Sequence, residues 1–350
     1  MISSFLRAAT LAACLVSPIA GAAGTMSGAG STAAAKLYDT WAGEWTRTSG
    51  TTLQYSAVGS SAGLREIRAH KTDFGASDVA PPVAELERDG LIAFPTAISG
   101  VVPVVNLPGI GKNKLRLTGP LLGALLAGQI TQWNAPELRK LNPGLDPPAL
   151  PVVPVVREDG SGTTFILSHY LSKVSPEWKA ALGNDFKLKW PELAQQVKGG
   201  GKLVEAVKAR SGAIGYVEYG QALEAELATV QLQNHASRWV IAEGASFSAA
   251  LKGSAWTARG AFEEMLTDSV EPEGWPITGG TFIVMHKVQA NPARAAQVLS
   301  FFTWGFMHGD AQAAALRWIP LPTLTQARVV KEIAKLQDRA GQPVPFTLAP

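Results

Sequence analysis

Three short segments place glycine and hydroxyl side chains just ahead of an apolar helical repeat. Gly28-Ala29-Gly30-Ser31-Thr32 precedes Leu37, Trp41 and Trp45; Gly59-Ser60-Ser61-Ala62-Gly63 precedes Leu64 and Ile67; Gly160-Ser161-Gly162-Thr163 precedes Leu167, Leu171 and Val174. Free backbone N–H groups and the positive dipole end make a helix N-terminus a place for an anion. Ser and Thr are also the preferred helix caps, and one such turn alone reads as a cap. Three of them in the company of Arg157 favour a site, because a guanidinium offers forked donors to a phosphate or carboxylate.

Asp78, in Asp73-Phe74-Gly75-Ala76-Ser77-Asp78, fits an anion site only if the ligand has a proton to give. An ionised carboxylate accepts hydrogen bonds and donates none. Phosphate retains a proton near neutral pH and sulfate does not, so Asp78 would reject the bare oxyanion by repulsion.

Other chemistries match less of the chain. Gly59-Ser60-Ser61-Ala62-Gly63 fits the G-x-S-x-G nucleophile elbow, which makes a secreted serine hydrolase or phosphatase using Ser61 the alternative. It would need a histidine base, and His169, His235, His286 and His308 lie in undistinguished settings. Gly199-Gly200-Gly201-Lys202 fails the Walker pattern, with Gln196 and Leu203 at the places of its first glycine and its Ser/Thr. The acidic and histidine residues show no zinc or calcium spacing, so no cofactor is expected. A net charge of +3, without a run of five Lys or Arg, argues against a nucleic-acid partner.

Strands expected at 53–58, 73–76, 101–106, 152–156, 213–217 and 282–286 alternate with helices, including one starting at Thr118-Gly119-Pro120. This pattern predicts an α/β fold with parallel sheets. The uncharged stretch 91–110 is long enough to span a membrane, but Pro95, Pro103, Pro108 and its valines predict buried strands broken by turns. Residues 1–22 read as a signal peptide: Arg7, an apolar stretch to Ile19, then Ala20-Gly21-Ala22. The single cysteine, Cys14, lies inside it, in a context that also fits lipoprotein processing. A periplasmic protein is expected.

Taken together, GAGST, VGSSAG, TDFGASD, FPTAISGVVPVVNLPG, LAGQITQWNAPELRKLNPG, VVREDGSGTTF, GAIGYVEY and WPITGGTFIVMHK resemble, in order, the periplasmic phosphate-binding proteins of phosphate-specific ABC transporters (PstS type). The resemblance implies a two-lobed periplasmic binding protein fold whose ligand cleft lies between lobes joined by crossover strands. The lobes would comprise residues 23–105 with 277–350, and residues 106–276. It assigns phosphate contacts to Thr32, Ala33, Ser60, Asp78, Arg157, Ser161, Gly162 and Thr163, with Asp159 orienting the arginine. It also implies inorganic phosphate as ligand, a membrane permease as partner, a monomer and no catalysis; another oxyanion or a phosphate ester remains an alternative ligand. Two departures stand out: Ala33-Ala34 where Phe-Pro is common, and Val156 where some members have a second arginine.

Overall fold

A computed structural model describes residues 24–347; the expected signal peptide and Cys14 lie outside them. Three parallel strands open the chain: β1 (Thr25–Gly30), flanked by β2 (Thr52–Ser56) and β3 (Phe74–Ser77). Helix α1 (Ala35–Ser49) follows β1, and α2 (Ser60–Arg68) follows β2. The expected apolar stripe of α1, Leu37, Trp41 and Trp45, is buried.

The stretch expected to break into turns is instead one strand, β4 (Leu91–Asn106). Pro95 is accommodated at a bulge: Phe282 pairs with Pro95 and Thr281 with Ala97, leaving Thr96 over. Pro103 faces Tyr216, and on its other flank pairing with Ala228–Thr229 starts only at Val104. Proline therefore removes donors without ending the ladder.

β4 ties two halves of the molecule into one sheet. From Leu91 to Gly100 it pairs antiparallel with Thr278–His286, and from Val101 to Asn106 with Ala213–Glu218. The latter strand lies parallel to Val153–Arg157. Two hydrophobic cores flank the point where the partner changes. In one, Phe302 of the helix Pro292–His308 stands edge-on to Phe74 (5.2 Å), Tyr38 (5.6 Å) and Phe94 (6.0 Å). Leu251, Trp256 and Leu266 pack there too, although they precede residue 277 in the chain. The other core holds Trp133, Trp178, Tyr170 and Trp275.

In each half the parallel strands end toward the same cleft. Ser31, Gly59 and Asp78 follow β1, β2 and β3 closely, while Arg157 and Glu218 end the two strands opposite. This is where open α/β sheets gather ligand groups. Gly30 is needed for that convergence: it has φ of 146°, and a Cβ there would lie 1.9 Å from the carbonyl oxygen of Ala76. Gly30→Ala should therefore destabilise the fold by more than about 2 kcal/mol, since backbone strain and a backbone clash add. Urea unfolding checks this; a change under 0.5 kcal/mol, roughly the effect of an ordinary surface substitution, would contradict it.

Candidate functional site

Two of the three Gly/Ser/Thr turns do not use their hydroxyls as helix caps. α1 is capped by Ala34 and α2 by Gly59, neither through a side chain. Ser31 Oγ, buried, donates to Asp78 Oδ1 (2.5 Å) and accepts from the N–H groups of Ala33 (3.1 Å) and Ala34 (3.2 Å). Ser60 Oγ accepts from Asp78 N (3.2 Å) and, across the cleft, from Gly162 N (3.2 Å). In the third turn Ser161 is a cap, its Oγ accepting from Thr164 N (3.3 Å) for the helix Gly162–Val174.

Arg157 is only 2% exposed. Its guanidinium is gripped by Asp159 through Nε (2.7 Å to Oδ1) and through Nη2 to Oδ2, while Nη1 reaches Thr32 Oγ1 (3.3 Å). Burial pushes the Asp159 carboxyl up, but the hydrogen bonds and charge of Arg157, with the N–H of Gly199 (3.0 Å), outweigh it and hold Asp159 below the usual range. Such a fork fixes the plane of the guanidinium. Tyr216 also locks this strand end, its hydroxyl accepting from Arg157 N (3.3 Å) and bonding Thr164 Oγ1 (2.8 Å).

The halves meet closely. Ser61 N donates to Gly160 O (3.1 Å), and a Cβ on Gly162 would lie 2.6 Å from Ser60 Oγ and 2.7 Å from Asp78 Cβ. Glycine at 162 thus lets the helix start approach Asp78. Asp78, Ala33 and Thr163 line a cavity of about 20 Å³, together with Ser99, Glu218, Trp318 and others. Burial pushes Asp78 up to about 6, against the Ser31 hydrogen bond, the charge of Arg157 and the hydroxyls of Thr281 and Ser60. The structure thus brings Thr32, Ala33, Ser60, Asp78, Arg157, Gly162 and Thr163 to one place, with Asp159 on the arginine and Ser161 acting on its own helix.

Other contributors were not singled out from the sequence. Ser31 adjoins the expected Thr32 and holds Asp78 itself. Gly199 and Gly200, at the start of the helix Gly200–Ala209, give their N–H groups to Asp159 and to Thr32 Oγ1 (3.4 Å); in the sequence the glycine run reads only as a failed nucleotide motif. Glu218, buried and pushed up to about 7, accepts from Ser99 Oγ (2.5 Å), Gly220 N (2.8 Å) and Gln221 N (3.1 Å), and Gln221 Nε2 reaches Thr32 O (3.2 Å). The histidines are engaged away from Ser61: His169 with Thr267, His235 with Asp268, His286 with Ile67 O, and His308 beside Trp304.

A mixed sheet with two cores and a polar cleft between facing strand ends defines a two-lobed binding protein of the periplasmic type. Residues 16–306 match the PBP superfamily domain. The chain is 40% identical over 297 residues to the phosphate-binding protein PstS of Xylella fastidiosa (strain 9a5c), covering 85% of this chain and 81% of that one. It is 38% identical over 300 residues to the phosphate-binding protein PstS of Haemophilus influenzae, covering 86% and 90%. The crystal structure of a phosphate binding protein from Stenotrophomonas maltophilia superposes with a TM-score of 0.69 at 18% identity, covering 92% of this chain and 100% of that chain. The chain belongs to the PBP superfamily and, within it, to the family of phosphate-binding proteins PstS.

The environment of Asp78 has a consequence for stability in phosphate-free buffer. Its folded pKa lies above the 3.8 of an ordinary carboxyl, so its contribution is complete below about 4 and is lost as pH rises through about 6. Glu218, pushed up to about 7, loses stability over an overlapping window in both proteins, so the Asp78 contribution is the difference. In urea unfolding the parent should lose on the order of 3 kcal/mol more over this window than Asp78→Asn. The same pH profile in both proteins would contradict the assignment.

Proposed function

We propose that this protein is a periplasmic receptor that captures inorganic phosphate and delivers it to the membrane permease of an ABC importer, without catalysing a reaction. The carrying observation is the buried constellation of Arg157, Asp78, Ser60 and the Gly162 N-terminus, brought together from both halves of the molecule. Donors from both halves suit the oxygens of a tetrahedral anion, and Asp78 suits a ligand that still carries a proton. The names of the PstS relatives support the same reading.

In this reading Thr32, Ala33, Ser60 and Asp78 supply one half of the cage, and Arg157, Ser161, Gly162 and Thr163 the other, with Asp159 orienting the arginine. Lobe I comprises 23–105 with 277–350 and lobe II 106–276, with Leu251, Trp256 and Leu266 of the latter stretch packing in the core of lobe I, and β4 is one of the crossovers. Hydrogen bonds between Ser60 and Gly162 and between Arg157 and Thr32 close the cleft, so phosphate enters with the lobes parted and the hinge then closes. Residues 1–22 direct export, and the receptor works as a monomer. No described helix is long and apolar enough to cross a membrane, in keeping with a separate permease.

Titration calorimetry on phosphate-stripped protein tests the reading. The parent should bind phosphate tightly, and Arg157→Ala should weaken binding by about 2–4 kcal/mol, the cost of removing a buried charged donor. Phosphate affinity unchanged in a folded Arg157→Ala would remove Arg157 from the cage, and no binding by the parent would refute the function.

A further inference from the structure

Glu218 is a second buried carboxylate, lining the same small cavity as Asp78, to which the cage gives no task. It ends the strand Ala213–Glu218 and caps the short helix Tyr219–Glu224. Its Oε1 accepts from Gly220 N (2.8 Å) and Ser99 Oγ (2.5 Å), and its Oε2 from Gln221 N (3.1 Å). A cap needs only the backbone bonds. The bond from Ser99 is the addition, and it comes from the part of β4 still paired with Thr278–His286, two residues before Val101, the ladder partner of Glu218. Glu218 therefore ties the crossover strand to the helix start across the change of partner.

That helix faces the start of α1 across the cleft. Gln221 Nε2 donates to Thr32 O (3.2 Å), and Lys36 pairs with Glu224 (2.5 Å). A Cβ on Gly220 would lie 2.5 Å from Leu316 O, so glycine lets the helix come close on that side as well. These contacts are unequal. Lys36 and Glu224 are 57% and 63% exposed, and an exposed pair adds little. Gln221 is half-buried, its N–H is fixed by Glu218, and its Oε1 lies so near Gly200 that a Cβ there would approach it to 2.6 Å. Its acceptor belongs to the residue whose hydroxyl already receives Arg157 Nη1 and Gly200 N.

We propose that Glu218 and Gln221 act together as positioning residues that hold the closed form. Glu218 sets the helix start against the crossover strand, and Gln221 clamps the Thr32 turn from outside the cage. The inference rests on the phosphate reading of the cage and adds what governs how long the ligand stays. The bond from Gln221 to Thr32 spans the two halves and forms only once they have met, so it slows release and leaves capture unchanged. Oε2 of Glu218 accepts only from Gln221 N among the described residues; an amide nitrogen in its place would set donor against donor.

Stopped-flow tryptophan fluorescence and calorimetry on the mature, phosphate-stripped protein test this with inorganic phosphate. Gln221→Ala should release phosphate about fivefold faster, the size of one intramolecular hydrogen bond, with the association rate changed less than about twofold. Gln221→Glu, which sets a carboxylate against the Thr32 carbonyl, should release at least as fast. Glu218→Gln should also speed release, and combining it with Gln221→Ala should add less than about twofold to the faster single variant, because both remove the same clamp. Ser99→Ala replaces Glu218→Gln in this cycle if the latter does not fold. Effects that multiply would show independent contributions and overturn the joint role. Unchanged release in a folded Gln221→Ala, with or without slower association, overturns the inference and leaves the phosphate reading standing. A parent that binds no phosphate refutes that reading and the inference with it.

Discussion

A carboxylate taken out of water is costly unless its surroundings answer it, and the organisation of the cleft follows from how Asp78 is answered. The residue is 6% exposed and no cation among the described residues is in direct contact with it; Ser31 donates to it, the hydroxyls of Thr281 and Ser60 lie beside it, and the charge of Arg157 acts from across the cleft. Arg157 is itself committed to Asp159. Asp78 thus retains unmet acceptor capacity at the place where a helix N-terminus approaches, with a glycine allowing the contact. A group that is strained when charged and relieved by a donor is suited to recognising a protonated anion rather than merely attracting negative charge.

The backbone makes this arrangement separable. β1, β2 and β3 carry Ser31, Gly59 and Asp78 at their ends, while the strands on the other side of the partner change in β4 carry Arg157 and Glu218. Each half has its own apolar core, so the polar bonds across the cleft can break without disturbing either core's packing. Ser60 to Gly162, Arg157 to Thr32, Gln221 to Thr32 and Lys36 to Glu224 are all such bonds. Individually they are modest once water competes for the same groups. That suits a hinge whose closed form a ligand selects.

Much of this was legible in the sequence because the informative signals are local. Glycine-hydroxyl turns before apolar repeats located both the helix starts and the cage, and Arg157 with Asp159 lies two residues apart on the same strand end. The order of motifs supplied the pairing of distant segments through resemblance, which periodicity alone did not. What escaped is non-local. β4 runs through two prolines because flanking strands hold it, a tertiary effect no local propensity reports. Ser31, not its neighbour Thr32, holds Asp78, since the pairing of β1 with β3 decides which hydroxyl faces it. Gly199 and Gly200 acquire their role only when Asp159 and Thr32 arrive from elsewhere in the chain.

The most direct measurement is a comparison of phosphate and sulfate binding by calorimetry in the parent and in Asp78→Asn at pH 8. If Asp78 reads the ligand's proton, the parent binds phosphate and excludes sulfate, while the amide, which can donate as well as accept, narrows that preference by at least tenfold. An unchanged ratio between the two anions in a folded Asp78→Asn would contradict the account, because selectivity would then reside in the donors of the cage and not in its carboxylate.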